Sequence, residues 1–114
     1  MTETTSFIQN GATRAITAAV TPPTAVQILA NFTAGSRSRN QFRVANAGNF
    51  TAFLGAGPTA DIAATNAAVV STTGNAIPLV AGAVEIFSFP PDWYFTLSTA
   101  SDTSVVYITP GEGL

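Results

Sequence analysis

The 114-residue chain has no cysteine, no histidine and no lysine. Without cysteine there is no disulfide and no thiolate metal site, so packing or oligomerisation must hold the domain together. Without cysteine and histidine, Ser-His-Asp and Cys-His nucleophilic arrangements are excluded, as are zinc sites of the usual kind. Without lysine there is no Schiff-base chemistry. Charge is also scarce, at 9% of residues against about 25% in an ordinary soluble domain. The cations are four arginines, set against six acids, for a net charge of −2. Nucleic-acid binders displace counterions with a basic footprint, and this chain has none. No apolar stretch approaches the length of a membrane span. No basic residue precedes an apolar run in residues 1–11, and Ala15–Val20 is short and interrupted by Thr17. A secretory signal is therefore not expected, and synthesis in a cytoplasm is.

What the chain has is apolar material: 46% hydrophobic residues, with eight Phe, one Trp and two Tyr. At this length that suffices for one domain with one core. A surface so poor in charge suits either a Thr/Ser/Asn-coated monomer or a protein covered by partners.

The pattern along the chain is short strands and turns. Residues 1–11 are polar, without a clear period, and read as a flexible N-terminal arm, with residues 12–114 as the domain. Ala12–Val20 reads as a strand with Ile16, Ala18 and Val20 on one face, ended by Pro22-Pro23. A second strand is expected over Ala25–Phe32, with Val26, Ile28 and Ala30 on one face. Gln41–Ala45 alternates Phe42 and Val44 with Gln41 and Arg43, the mark of a half-buried strand. Asn46-Ala47-Gly48-Asn49 is a turn, across which Phe50–Leu54 is expected to pair back as a hairpin. Gly55 to Pro58 should break that strand, and the alanine-rich residues 59–76 read equally as helix or loop. Strands at Ile77–Leu79, Val84–Phe89, Trp93–Ser98 and Ser104–Thr109 follow, the last ended by Pro110-Gly111. This is an antiparallel sandwich or barrel, not a parallel α/β sheet.

Candidate chemistry is sparse. Glu85 and Asp92 flank a turn and are the best carboxylate pair for a glycosidase, but solvated turn residues have the same look. A calcium site at Asp92 or Asp102 lacks a D-x-D-x-D-G run. Gly55-Ala56-Gly57-Pro58-Thr59-Ala60 matches the dinucleotide pattern formally, yet no acid follows at the right distance over Thr72–Val80. Turn-making is the expected role of these glycines. Asn31-Phe32-Thr33 and Asn49-Phe50-Thr51 are glycosylation sequons, without meaning in the absence of secretion. Arg37, Arg39 and Arg43 cluster within seven positions and fit a patch pairing with acids of a partner, and a solvated turn and strand edge has the same look. Trp93 aligns with Phe95 and Leu97 and is assigned to the core, leaving Tyr94 on the other face as an interface residue.

Several segments together carry a resemblance. They are Phe53-Leu54-Gly55, Ile77-Pro78-Leu79-Val80-Ala81-Gly82, Val84-Glu85-Ile86-Phe87, Trp93-Tyr94-Phe95 and Val105-Val106-Tyr107-Ile108-Thr109-Pro110-Gly111-Glu112, with Arg37–Asn46 upstream. Over about residues 37–112 the chain resembles the small tailed-bacteriophage proteins that decorate or cement icosahedral capsids. The resemblance implies an all-β, jelly-roll-like sandwich, assembly as a homo-oligomer with a trimer favoured, and the major capsid protein as partner. It also implies a place on the outer surface of the virion. It implies no catalytic residue, no cofactor and no metal. The contacts are expected at Phe7 and Ile8 of the arm, at Arg37, Arg39 and Arg43, and at Tyr94. A phage tail, fibre or head-tail junction module, or a small carbohydrate-binding module using Trp93 or Tyr94, is the alternative.

Overall fold

Strand-forming runs of Val, Ile, Phe and Thr separated by Gly, Pro and Asn fold into two packed antiparallel sheets. The structure, a computed structural model, describes residues 7–9, 11–28, 41–69 and 74–112. The elements are β1 (Ile8–Gln9), β2 (Arg14–Ala18), β3 (Val26–Gln27), β4 (Gln41–Asn46), β5 (Ala52–Gly57), α1 (Ala60–Asn66), β6 (Ile77–Leu79), β7 (Val84–Ser88), β8 (Tyr94–Thr99) and β9 (Ser104–Glu112). Sheet A runs β2-β9-β4-β7, with β1 beside β2 on the same edge of β9. Sheet B runs β3-β8-β5-β6.

This order has a simple origin. Strands β2 to β5 form one arm of a long antiparallel hairpin and β6 to β9 the other, giving the pairs β2·β9, β3·β8, β4·β7 and β5·β6. Curling that hairpin upon itself adds β4·β9 and β5·β8. The result is the jelly roll, two Greek keys in two sheets. The all-β sandwich expected from the sequence is the fold observed.

Alternation places the core. Phe42 and Val44 of β4, Ile16 and Ala18 of β2, and Val106 and Ile108 of β9 face inward from sheet A. Leu54, Leu79, Phe95 and Leu97 meet them from sheet B. One end of the sandwich is closed by rings: Phe42 and Phe95 lie 4.9 Å apart, Phe89 and Phe95 5.4 Å, and Phe89 stacks on Trp93 at 5.9 Å. The other end is closed by hydrogen bonds to Asn46, which is buried. Its Nδ2 donates to the carbonyls of Phe50 and Leu79 at 2.9 and 2.8 Å. Its Oδ1 accepts from Gly48 N at 3.1 Å and from Ser104 Oγ at 2.7 Å.

Several local expectations are corrected. First, β4 and β5 do not form a hairpin, because the Asn46 turn carries the chain from sheet A to sheet B and β4 pairs with β7 and β9. Second, Gly55 and Gly57 neither break β5 nor make a turn. They sit within the strand, where their missing side chains admit α1: a Cβ on Gly55 would overlap backbone atoms of Ala63 and Ala67. Thr59 caps α1 by accepting from Ile62 N at 3.2 Å, and the buried Ala63 and Ala67 lie against sheet B. Asn66 Nδ2 donates to Ala56 O at 3.0 Å, and Ser98 Oγ donates to Ala67 O. Third, Pro110-Gly111 does not end β9. The ladder to β4 runs unbroken through Pro110, whereas on the other edge the pairing is interrupted by a bulge between the Arg14–Ile108 and Gln9–Gly111 pairs. A missing N–H is tolerated at such a bulge. Thr13 and Thr109 hydroxyls bridge the gap at 2.7 Å.

Fourth, part of the expected arm belongs to the sheet. Ile8 and Gln9 pair with Glu112 and Gly111, and the Phe7 ring lies where a Gly111 side chain would stand. Gly111→Ala should displace Phe7 and unpair β1, at about 1–2 kcal/mol. Faster amide exchange at Gln9 with a small fall in the urea midpoint is the expected result; unchanged exchange would show the cradle is not needed. The first strand also stops at Ala18, leaving Val20 61% exposed instead of in the core. The second is described only as Val26–Gln27, with buried Ala25 and Ile28 on either side, and residues 29–32 of that expected strand fall outside the described residues.

Candidate interaction surface

The two outer faces of the sandwich differ. Sheet B is roofed by α1, so β8 is buried on both sides: Thr96 and Ser98 are as inaccessible as Phe95 and Leu97. Thr96 Oγ1 donates to Pro23 O at 2.7 Å beneath this cover. Among the described residues no such roof lies over sheet A. Residues directly opposite in an antiparallel ladder share a face, so the register defines what it presents. Ala15, Tyr107, Ala45 and Val84 form one row across β2, β9, β4 and β7. Thr109, Arg43 and Ile86 form the next. Gln9, Gly111, Gln41 and Ser88 form a third, with Phe7 over Gly111. Tyr107 is 43% and Val84 51% exposed, and Ile86 is half-buried.

Arg43 is the one charged residue in these rows and no described acid pairs with it. Its neighbours Phe42 and Val44 are fully buried, so the alternation read from the sequence holds here. Its guanidinium stands on an apolar sheet face from a central strand. Phe7 joins this face, half-buried. Ile8 is 61% exposed at the β1 edge. Tyr94 does not join: it pairs with Gln27 and Gly57 on the outer side of sheet B. Arg37 and Arg39 lie outside the described residues, so their expected cluster with Arg43 has no description. Trp93 packs partly buried against the core with one ring face on Phe89.

Tyr107 and Val84 escaped the sequence reading. Their signal is apolar residues at both parities of one strand, in Val105-Val106-Tyr107-Ile108 and Val84-Glu85-Ile86-Phe87. Such runs mark strands with two apolar faces. A second exposed apolar group sits at the Asn46 end, where Val20, Phe50 and Val80 are exposed. Phe50 and Phe53 line an open groove there with Thr51, Ala100 and Ser101.

The acids are dispersed. Glu85 is exposed on β7 of sheet A. Asp92 is exposed in the β7–β8 turn, its carbonyl accepting from Gln27 Nε2 of β3 at 2.8 Å. Among the described residues no group of three or more His, Cys, Asp and Glu could hold a metal ion. The Gly55-x-Gly57 pattern does join a strand to a helix, but the strand is antiparallel to both neighbours. The glycines serve helix packing, not a phosphate. Compared with protein-family models, curated proteins and solved structures, the chain finds no match.

Proposed function

We propose that the protein is a virion structural protein that decorates and stabilises an icosahedral phage capsid by binding across major capsid subunits as an assembly. The observation that carries this reading is the outer face of sheet A, a surface fit for burial in an assembly: among the described residues it presents Tyr107, Val84, Ile86 and alanines with one arginine. The chain around it has only four cations and six acids. Binding cores are depleted in charge and enriched in Tyr and Arg. The jelly roll is used by viral capsid proteins, but also by lectins and cupins, so topology alone does not choose. The packing of Trp93 against Phe89 leaves one ring face fewer for stacking a sugar, which favours the structural reading over a carbohydrate-binding module.

The test is co-sedimentation of the purified chain with shells of its major capsid protein. Saturable binding that raises the temperature of shell disruption is expected, since a ligand of the assembled state stabilises it by mass action. Tyr107→Asp with Val84→Asp should abolish assembly, and with it that binding, while leaving the fold intact. Shells that neither bind nor gain stability would overturn the reading.

A further inference from the structure

The sandwich presents two exposed surfaces of opposite character on its two sides. One is the open face of sheet A, whose charge is Arg43. The other is α1, which covers the far side of sheet B and exposes Asp61 beside Ile62 (44%), with Val69 (42%) exposed in the segment that follows the helix. The Asp61 backbone carbonyl accepts from Thr65 Oγ1 at 3.0 Å, but no described cation pairs with its carboxylate. Among the described residues each surface therefore carries apolar side chains and one unpaired charge, and the two charges are opposite.

We propose that the open face of sheet A receives the α1 face of a second copy of this chain, with Arg43 of one copy paired to Asp61 of the next. This rests on the assembly reading above and names a partner that the shell does not supply. A two-fold contact of sheet A upon itself would bring two Arg43 side chains from central strands toward one another, with no acid in the facing rows. Like charges juxtaposed in an interface are disfavoured. A two-fold contact through α1 would do the same with two Asp61 carboxylates. Head-to-tail contact removes both conflicts, and it covers Tyr107 and Val84 with Ile62 and Val69. Arg43 and Asp61 point from opposite sides of one rigid sandwich, so they cannot pair within a copy. The joint is heterologous: it makes a ring where successive rotations close. The arginine then finds on the next copy the counter-ion that no described residue of its own copy supplies.

The test is sedimentation velocity of the full chain over a wide concentration range, with the variants R43E, D61R and R43E/D61R. The wild type should self-associate. Each single reversal should raise the dissociation constant by about tenfold or more, and the double variant should return to within about threefold of wild type. Unchanged circular dichroism and melting of all three variants keep the result about contact. A wild type that stays monomeric at every concentration overturns this inference and leaves shell binding to stand or fall by co-sedimentation. Association indifferent to both reversals, or not restored in the double variant, overturns it as well.

Discussion

Replacing Asn46 by alanine is expected to lower the stability of the folded chain by about 3–4 kcal/mol, because several buried groups lose their partner at once. The Asn46 side chain donates to the carbonyls of Phe50 and Leu79 and accepts from Gly48 N and Ser104 Oγ. These groups belong to the β4–β5 turn, the end of β6 and the start of β9. The β6–β7 turn is tied to the same residue by backbone bonds, Gly82 N to Asn46 O and Asn46 N to Ala83 O, both 2.9 Å. A single bond is worth about 1 kcal/mol net, but a buried carbonyl left bare costs about 1–3 kcal/mol. Water readmitted at the half-buried Gly48 offsets part of the sum. A loss of this size is a large fraction of the total for an ordinary domain. Urea unfolding monitored by Trp93 fluorescence measures it. The neighbouring exposed Ala47, changed to serine, should move stability by no more than about 0.5 kcal/mol. Equal effects at the two positions would show that Asn46 is not the clamp.

The second large effect is expected at Gly55. Alanine there places its Cβ 2.7 Å from Ala67 Cα and in overlap with the Ala63 carbonyl and Ala67 nitrogen. The obstacle is backbone, which has no rotamer to escape into, so α1 must lift from sheet B. Its ties to Ala56 and Ser98 loosen with it. The expected cost is about 2–3 kcal/mol. Gly57→Ala should cost less, about 1 kcal/mol, because its new Cβ meets first the Ile62 side chain, at 2.6 Å, and Ala63 N only at 3.0 Å. Paired thermal melts check the order. A Gly57 variant as damaged as the Gly55 variant would mean that α1 does not pack as described.

These two residues also show what was legible in the sequence. Alternation at Phe42, Val44, Phe95 and Leu97 gave the strands and the inward faces, since period two survives wherever one face is buried. The sandwich followed from many short strands with turn signals. Connectivity did not follow, because whether a turn pairs its flanking strands or carries the chain to the other sheet is decided by tertiary partners. Asn46 looks like any turn asparagine until Leu79 and Ser104 are brought to it. Gly55 and Pro110 misled for the same reason: both weaken an isolated strand, yet one makes room for a helix and the other sits at a bulge. Of the expected contact residues, Arg43 and Phe7 fall on the open face. Tyr94 is on the other sheet, since the parity of a residue does not say which sheet's outer side it reaches. Tyr107 was hidden because a run apolar at both parities does not reveal which face is left open.

The central claim is that the open face of sheet A is covered in the working state of the protein, and Tyr107 reports it directly. Hydroxyl-radical footprinting, with modification read by mass spectrometry, should be run on the dilute chain and on the assembled or shell-bound chain. The account predicts that Tyr107, 43% exposed in the single chain, is modified several-fold more slowly once assembled. A Tyr107 modified at the same rate in both states, while other residues become protected, would place the interface elsewhere and contradict it.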